Sequence, residues 1–554
     1  MLKPERAVWI LAAFYFFFNI GFLSYEYDFD GVVFSLQLEF VKAGTSWPFM
    51  LHPHHLLYEP LGYLFWNLLS FVGWKVRSII ALEIFDLVLG SISLAVFARG
   101  LQLLEPRKKW LALVCALGLG FCYAYWHFSV EPEVYILSVL FLNLAFYAML
   151  RTGKKVQETG LSNSNKIIFI ILLSLLSTMV ITGHLVHGLF GIPIIYFAVK
   201  TLGGSKGRSK IAPAFWVVIC SGVFTGSIYI SAFLLNPLTA HKPATMPRQF
   251  KNWLLDLAAS ANNFGYPESY WNASLSAPVL WLKGMAWAFS NQIIQGPGHF
   301  FRKLLIVFCL LILAGYFFAF LIALARNRGR GDTNHILILL WLITGAAFSV
   351  LWAPGWYEQK MYILPAVWAA VYLGVPDSSA SRLRKFLHPA LVFSAVSILF
   401  LVNFIFEIFP GSIPENNQEL KAAYQMREAT PRGSVIVISG LPIGYNIGKF
   451  YIPYFADRWA FTLDWRLSEP IRGKLFPQNT AIRLEDYARQ GRAVYLLSDV
   501  LQEKIAEELA RRHGLKRQEF DAFWAGYDPK PAADLGDGLK LYLLNVKSAP
   551  STPK

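Results

Sequence analysis

The chain has 554 residues, of which 55% are hydrophobic, 16% are aromatic and only 15% are charged. A soluble domain carries about 25% charged residues, so this composition excludes an ordinary soluble protein. The net charge of +15 would suggest a nucleic-acid partner in a soluble protein. In a membrane protein basic residues instead mark cytoplasmic loops, and we expect no nucleic-acid partner. The four cysteines form no CxxC pair, which argues against a disulfide framework or a structural zinc site.

Apolar runs of about 17–22 residues recur along the chain, and each is long enough to cross the roughly 30 Å of hydrocarbon in a bilayer. They predict an integral, multi-pass α-helical membrane protein with about eleven transmembrane helices. The predicted spans cover roughly residues 7–24, 78–98, 110–126, 133–150, 166–183, 186–200, 211–234, 304–325, 336–352, 361–375 and 388–408.

Clusters of Lys and Arg occupy every second connection between these spans, beginning with Lys3 and Arg6 before the first span. Because such clusters mark the cytoplasmic side, the N-terminus is predicted to be cytoplasmic. An odd number of spans then places the C-terminal region on the opposite side.

A polar segment, residues 25–66, follows the first span and is predicted to be an outer loop. If the chain is extended there, Asp28 and Asp30 face the same way and could address one cation or one substrate hydroxyl. A carboxylate pair also shifts the pKa of one member, which suits a general base. A solvated loop at the membrane surface is the alternative.

Two more acids follow the third span, in the sequence Ser129-Val-Glu-Pro-Glu-Val-Tyr135. Pro132 predicts a helix start with Glu131 and Glu133 in its first turn, where they would act as caps. The functional alternative is that Glu133 faces the same aqueous pocket as Asp30.

Five histidines are predicted on this outer face, three of them in the segment 25–66. Hydrogen bonding to sugar hydroxyls or to phosphate is the interpretation that we favour for them. A site for a divalent metal ion is the alternative, and such an ion is the one cofactor that the sequence leaves open. The histidines are His52, His54, His55, His184 and His187.

Several basic residues break the charge pattern by lying on the outer side. Cations at the outer ends of different spans predict that an anion such as a lipid phosphate is held there. Plain interfacial anchors are the alternative. These residues are Lys75, Arg77, Arg248, Lys251, Arg302, Lys303 and Lys360.

Glu83 and Asp86 lie inside the second span, three residues apart. Acids at membrane depth indicate function by default, so the pair is the best sequence evidence for a transporter or lipid flippase. A polar contact with another helix would also explain it.

Residues 279–295, in the long loop after the seventh span, predict an interfacial amphipathic helix.

The composition changes near Pro410, after which apolar runs shorten to strand length. Strands at 434–439, 493–498 and 539–545, with a helix at 500–513, predict a small soluble α/β domain. We therefore divide the chain into a transmembrane domain, residues 1–409, and an extracytoplasmic domain, residues 410–554. The Gly440–Gly444 turn lacks the Lys-Ser/Thr of a P-loop and is interpreted as an ordinary strand exit.

Four short motifs resemble those of the GT-C membrane glycosyltransferases, in particular the protein O-mannosyltransferase-like bacterial subgroup. An acid soon after the first span, followed by a His-Pro segment, is similar to the family's pattern. The Glu-Val-Tyr, Gly-His and late Glu-x-x-x-Tyr-x-Leu-Pro elements resemble those of the subgroup. The matching stretches are Asp30, His52-Pro53 with Tyr58-Glu-Pro-Leu-Gly-Tyr63, Glu133-Val-Tyr135, Gly183-His184 and Tyr357-Glu-Gln-Lys-Met-Tyr-Ile-Leu-Pro365.

The resemblance implies an inverting glycosyltransferase that takes a sugar from a polyprenyl-phosphate donor on the non-cytoplasmic face of a bacterial inner membrane. The acceptor would be a glycan, a lipid or a protein. Asp30 would be the catalytic carboxylate, assisted by Asp28 and Glu133, although the choice between Asp28 and Asp30 stays open. The substrate-binding residues would be His52, His54, His55 and His184, with Arg302, Lys303 and Lys360 holding phosphate. A transporter or flippase, and a non-catalytic scaffold, are the competing hypotheses.

Overall fold

The computed structural model describes most of the chain and divides it into two compact units. The membrane unit is Met1–Ser24 with Gln37–Ser412, and the C-terminal unit is Tyr25–Leu36 with Ile413–Lys554. The described residues are 4–45, 47–52, 54–160, 162–203, 211–235, 277–294, 299–326, 333–352, 354–376, 387–441, 448–463, 476–536 and 538–546.

The membrane unit is built almost entirely of α-helices. Its chain begins with α1 (Pro4–Asn19), and helix α2 (Phe29–Lys42) belongs to both units. The helices that follow are α3 (Tyr58–Phe71), α4 (Ser78–Leu104), α5 (Lys109–Gly120), α6 (Tyr123–Val130), α7 (Tyr135–Thr159), α8 (Asn163–Gly183), α9 (Gly191–Phe197), α10 (Ala212–Leu235), α11 (Ala277–Phe289), α12 (Phe300–Arg326), α13 (Thr333–Trp352), α14 (Leu364–Gly374) and α15 (Pro389–Asn403).

Within the described residues, eight helices are long and apolar enough to cross a membrane, or nine if α5 and α6 form one broken span. Two shorter apolar helices, His187–Leu202 and Leu364–Gly374, lie where two further spans were predicted. The chain is thus a polytopic helical membrane protein, and the count of eleven spans stays a prediction. Helix α11 lies within the long loop, where an amphipathic helix was expected.

The break between α5 and α6 bends the chain by 69°. Backbone groups freed by such a break must find partners, because hydrocarbon offers none. The Asn403 side-chain amide donates to the carbonyl of Phe121 and to the carbonyl of Phe289, both over 2.8 Å. The Tyr15 hydroxyl donates to the carbonyl of Gly120 over 3.0 Å. The bend is therefore a hydrogen-bonded feature, and it lets α6 carry polar side chains toward the start of α7.

The segment 25–66 is not the extended loop that the sequence predicted, because most of it forms α2 and α3. Buried residues in α2 recur with helical spacing, at Val32, Ser35, Leu38 and Val41. Asp30 lies in the first turn of α2 and Asp28 precedes it, so the extended conformation on which their common orientation depended is not present.

The C-terminal unit is an α/β domain around a five-stranded sheet with the order β2-β1-β3-β5-β4. Strand β1 pairs in parallel with β2 and β3, whereas β5 is antiparallel to β3 and β4. Its elements are α16 (Gln418–Ala429), β1 (Val435–Ile438), β2 (Trp459–Thr462), α17 (Gln478–Arg489), β3 (Val494–Leu497), α18 (Glu503–Arg512), α19 (Arg517–Ala525), β4 (Lys530–Asp534) and β5 (Lys540–Leu543).

The sequence did not predict that the segment Tyr25–Leu36 packs with this C-terminal unit. The Tyr451 hydroxyl donates to the carbonyl of Tyr27 over 2.8 Å, and the Phe29 and Phe450 rings stack with centroids 5.5 Å apart. Contacts between residues more than 400 positions apart hold the segment that carries both aspartates. No local sequence pattern reports such contacts.

Candidate active site

Asp86 lies at the centre of a buried group of polar side chains in the membrane unit. Its Oδ2 accepts a hydrogen bond from the Tyr58 hydroxyl over 2.6 Å and another from the Glu133 backbone N–H over 3.0 Å. A carboxylate at membrane depth is costly unless such donors satisfy it. Asp86 thus joins α3, α4 and the connection between α6 and α7, which is the polar contact that was kept as an alternative to transport.

Glu131 and Glu133 lie between α6 and α7. Because α7 begins at Tyr135, neither acid is in its first turn, and the expected helix start at Pro132 is wrong. Glu131 is fully buried and its Oε2 lies 2.6 Å from His127 Nε2. Glu133 Oε2 accepts a hydrogen bond from the Val134 N–H over 3.2 Å. The short connection therefore presents two buried carboxylates in succession.

Lys360 lies in the turn before α14 and is completely buried. Burial lowers the pKa of its ammonium from the ordinary value to about 7, although nearby Glu358 acts in the opposite direction. Glu358 also accepts a hydrogen bond from the Tyr135 hydroxyl over 3.2 Å. A lysine that is only part-protonated near neutral pH gains strongly from an anion, because a negative charge favours the ammonium form.

The predicted histidines converge in the same unit. The Leu185 N–H donates to the His54 carbonyl over 3.1 Å, which joins the 52–55 segment to the turn after α8. His52 stacks on His55 with ring centroids 4.4 Å apart, and His184 stacks on Tyr135 at 5.8 Å.

Burial keeps these imidazoles neutral. It lowers the pKa of His184 to about 3, and the neighbouring His54 and His52 lower it further. The pKa of His55 is well below its ordinary range for the same reasons. Neutral imidazoles both donate and accept hydrogen bonds, so they suit sugar hydroxyls better than they suit the charge of a phosphate.

The histidines are not arranged as a ready metal site. Among the described residues, no three histidine nitrogens lie within 4.8 Å of one another. The Nδ1 atoms of His184 and His187 are buried without a hydrogen-bond partner in the described part of the chain. His127 Nε2 and Glu131 Oε2, 2.6 Å apart, are two ligand-type groups that lie beside each other in the membrane unit.

Arg302 belongs to a separate group at the start of α12. Its guanidinium donates to Gln292 Oε1 over 3.1 Å and lies over the Phe406 ring at 3.5 Å. Gln292 and Asn291 donate to the Glu407 carboxylate in turn. Arg302 is thereby held in one orientation, while the adjacent Lys303 is half-buried.

Asp28 and Asp30 lie in the C-terminal unit, at the start of α2. Burial, followed by the negative charge of Asp28, raises the pKa of Asp30 to about 6. A carboxylate with a pKa near the working pH is suited to accepting a proton.

Most of the predicted site residues in the membrane unit are therefore connected. These residues form a set that runs from the histidines through the buried acids to Lys360, and we call this set the polar cluster. The sequence motifs contain Tyr58, Tyr135 and Glu358, but sequence reasoning gave them no role in the site, and it missed His127. The His-x-x-x-Glu spacing from α6 into the following connection was a usable signal for His127. Arg248 and Lys251 lie outside the described residues, as do Pro53 and part of the Gly440–Gly444 turn. The polar cluster consists of His52, His54, His55, Tyr58, Asp86, His127, Glu131, Glu133, Tyr135, His184, Glu358 and Lys360.

Comparison with known proteins gives one family match and several structural likenesses. The family model of the protein O-mannosyl-transferase TMEM260 N-terminal domain matches residues 92–203. No curated protein sequence matches the chain. The matched residues run from the second half of α4 through α9, and thus include Glu133, Tyr135 and His184.

The structural likenesses extend over nearly the whole chain. ArnT from Cupriavidus metallidurans bound to undecaprenyl phosphate superposes with a TM-score of 0.61 at 10% identity, covering 99% of each chain. The apo state of the same protein gives 0.57 at 10% identity, covering 98% of each chain. An oligosaccharyltransferase of Archaeoglobus fulgidus, tethered with an acceptor peptide containing the NVT sequon, gives 0.52 at 12% identity, covering 92% of this chain and 72% of that chain.

Proposed function

From the premise that this chain is a polytopic membrane protein with the GT-C glycosyltransferase fold, we propose that it transfers a sugar from a polyprenyl-phosphate-linked donor to an acceptor. The observation that carries the proposal is the polar cluster, in which buried carboxylates, neutral histidines and a part-protonated lysine lie together. A sugar phosphate offers hydroxyls to the imidazoles and an anion to the ammonium. The ligand named for ArnT, undecaprenyl phosphate, supports the class of donor.

Asp30 is proposed as the catalytic carboxylate. The acceptor oxygen attacks the anomeric carbon of the donor sugar while its proton passes to Asp30. The bond between that carbon and the phosphate oxygen breaks, and polyprenyl phosphate leaves with the electron pair. Attack from the face opposite the leaving group inverts the anomeric centre. The pKa of about 6 lets Asp30 be ionised at neutral pH and still accept a proton.

Lys360 is proposed to hold the leaving phosphate, with Arg302 and Lys303 as further cations. Its burial strengthens the attraction, because a charge pair in a medium of low dielectric is poorly screened. Developing negative charge on the phosphate stabilises the ammonium form of Lys360, and the ammonium stabilises the leaving group in return. His52, His54, His55 and His184 are proposed to bind the sugar hydroxyls.

Glu133 and Asp28 are proposed to assist. Asp28 raises the pKa of Asp30, and it thereby tunes the base without being the base. A divalent cation, the one cofactor that the sequence leaves open, would be held by His127 and Glu131, and it would supply positive charge for the phosphate.

The transporter alternative rested on Glu83 and Asp86. Asp86 accepts hydrogen bonds from Tyr58 and from the Glu133 backbone, so a structural role accounts for its place at membrane depth. Because one of the two acids on which the transporter rested has this structural role, we do not propose the transporter.

The membrane orientation belongs to the same proposal. The charge pattern supports a cytoplasmic N-terminus, and the resemblance supports a bacterial inner membrane with the reaction on the non-cytoplasmic face. Transfer there requires a donor that has already crossed the membrane, which a polyprenyl phosphate carrier supplies.

The test is mass spectrometry of lipid-linked sugars and surface glycans from cells with the protein, cells without it, and cells with Asp30→Asn. Loss of one sugar from a glycan, together with accumulation of the matching lipid-linked sugar, is expected without the protein and with Asp30→Asn. Asp521→Asn, which changes an exposed carboxylate on α19, serves as the control and should behave as wild type. Unchanged glycans and lipids in the cells without the protein would overturn the proposal.

A further inference from the structure

A groove between α4, α7 and α8 in the membrane unit is separate from the polar cluster. Its volume is about 720 Å³. Lys155 lines it, twenty residues after Tyr135 along α7, and a helix rises about 1.5 Å per residue. The cationic end of the groove at Lys155 therefore lies about 30 Å along α7 from Tyr135 of the polar cluster, a distance comparable to the thickness of the bilayer hydrocarbon. Its lining residues include Leu103, Leu144, Arg151, Thr152, Phe169 and Leu176.

The groove is strongly cationic. Four basic residues and one acid line it, Arg99, Arg151, Lys154, Lys155 and Glu158, so four positive charges against one negative charge leave +3. Lys154 is 3.7 Å from Glu158, and Arg99 binds Gln102 at 2.9 Å and lies 4.0 Å from Glu5. Of the remaining cations, Lys155 lies over the Phe169 ring at 5.8 Å, and Arg151 precedes it by four residues on the same face of α7.

Thr152 adds a second, independent feature. It lies between the cations on α7, it lines the groove, and only 1% of its surface is exposed. Its Oγ1 has no hydrogen-bond partner among the described residues. An unpaired buried hydroxyl is costly, and a ligand oxygen in the groove would satisfy it.

The opposite wall of the groove is apolar and continues onto the outer surface of α8. Phe169 and Leu176 line the groove, and Leu172 lines it with 38% of its surface exposed. Ile168 and Leu175 extend the same exposed apolar surface along α8. A ligand that has a charged head and hydrocarbon chains fits both walls, whereas a soluble anion uses only the cationic one.

We propose that this groove binds an anionic phospholipid from the leaflet opposite the reaction site. Arg151 and Lys155 hold the phosphate, Thr152 donates a hydrogen bond to one of its oxygens, and the acyl chains lie along Phe169 and Leu172. Basic pockets between transmembrane helices on the cytoplasmic side are known to bind such headgroups. The length of α7 between Tyr135, which donates a hydrogen bond to Glu358 beside Lys360, and Lys155 separates this lipid from the phosphate of the donor.

The test uses the purified full-length protein in detergent, titrated with phosphatidylglycerol or phosphatidylcholine and followed by native mass spectrometry. Wild type should bind phosphatidylglycerol with preference. The double variant R151Q/K155Q should bind it about tenfold or more weakly, because each basic residue near an anionic headgroup contributes substantially. Arg326→Gln, a cation at the end of α12 away from the groove, should bind like wild type.

Competition experiments distinguish a phospholipid from the other phosphate-containing ligands. Inorganic phosphate at millimolar concentration should not displace the phospholipid, and polyprenyl phosphate should not compete with it at equal concentration. Displacement by either ligand would overturn the assignment to a phospholipid. Thr152→Val should weaken binding whereas Thr152→Ser, which keeps the hydroxyl, should not. Wild-type binding by a correctly folded R151Q/K155Q variant would overturn the proposal itself.

Discussion

Tyr58 donates a hydrogen bond to the buried carboxylate of Asp86 over 2.6 Å. The contact joins the helix that follows the histidine segment to the second predicted span. Because Asp86 also accepts from the Glu133 backbone over 3.0 Å, one carboxylate fixes the positions of two segments that carry proposed substrate-binding residues.

Asp86 should therefore act through its acceptor oxygen and not through its charge. Asp86→Asn keeps an oxygen that both donors can reach, so we expect activity within about threefold of wild type. Asp86→Leu leaves two buried donors without an acceptor, and each unpaired donor lowers the free energy of unfolding by about 1–3 kcal/mol. Thermal unfolding in detergent and the transfer activity of both variants check this expectation. A stable Asp86→Asn protein without activity would contradict this expectation and would show that the negative charge of Asp86 is needed.

The pH profile should report two groups. Asp30 must be ionised to accept a proton, so kcat/KM should fall as pH drops through about 6. Lys360 must be protonated to hold phosphate, so kcat/KM should also fall as pH rises through about 7. Bound phosphate raises the pKa of Lys360, and the alkaline limb of kcat should therefore lie at higher pH than that of kcat/KM.

Lys360→Arg tests whether Lys360 is the group that titrates on the alkaline limb of the pH profile. Arginine stays protonated in this pH range, so the alkaline limb should move beyond pH about 9 while the acid limb stays in place. Initial rates across the pH range, at low and at saturating donor, provide the measurement. An alkaline limb that Lys360→Arg leaves unchanged would show that another group titrates.

Asp28→Asn addresses the choice between the two aspartates. The charge of Asp28 raises the pKa of Asp30, so its removal should shift the acid limb to lower pH and leave substantial activity between the two limbs, at about pH 6.5. Asp30→Asn should remove activity at every pH. The reverse pattern, with Asp28→Asn inactive throughout and Asp30→Asn active, would make Asp28 the base.

Gly284 allows α11 to pack closely against the backbone of Pro354 and Gly355, which precede Lys360 in the chain. A Cβ added there would lie 2.6 Å from the Pro354 carbonyl oxygen and 3.1 Å from that of Gly355. Gly284→Ala should displace this backbone and lower transfer activity by roughly tenfold, since misplacing a binding group by about 1 Å costs that much or more. Gly355→Ala is the matched control, because nothing lies within 4 Å of its added Cβ. Equal activity in both variants would contradict the positioning role.

Asn403 should stabilise the broken helix. Asn403→Leu removes the donor from the Phe121 and Phe289 carbonyls, and we expect a loss of about 1–3 kcal/mol in the free energy of unfolding. Ser394→Ala, on the exposed side of the same helix, should change it by less than about 0.5 kcal/mol. Unfolding by denaturant, followed by tryptophan fluorescence, compares the two. A similar stability for both variants would show that the bend needs no such donor.

The sequence predicted the helical membrane architecture and the α/β region, because both depend on local patterns of apolar residues. Strands β1, β3 and β5 and helix α18 lie where apolar periodicity indicated them. It also predicted that His54 and His184 would lie on the same face. The two segments are joined by a hydrogen bond from the Leu185 N–H to the His54 carbonyl, a contact that no periodicity encodes.

Other features depend on tertiary contacts and could not be predicted in that way. The segment that holds Asp28 and Asp30 is helical from Phe29 onward, and its packing on Tyr451 depends on residues far along the chain. The roles of Tyr58 and Glu358 appear only when Asp86 and Tyr135 are placed beside them. Polarity alone marks candidates, whereas a hydrogen-bond partner distinguishes a structural acid from a reactive one.

The most direct measurement is a single-turnover transfer assay on purified protein in lipid nanodiscs, with the lipid-linked sugar that the glycan comparison identifies. Wild type should release polyprenyl phosphate with transfer of the sugar to the acceptor and inversion at the anomeric carbon, and Asp30→Asn should release none above background. Release at the wild-type rate by Asp30→Asn, or transfer with retention of configuration, would contradict the proposed mechanism.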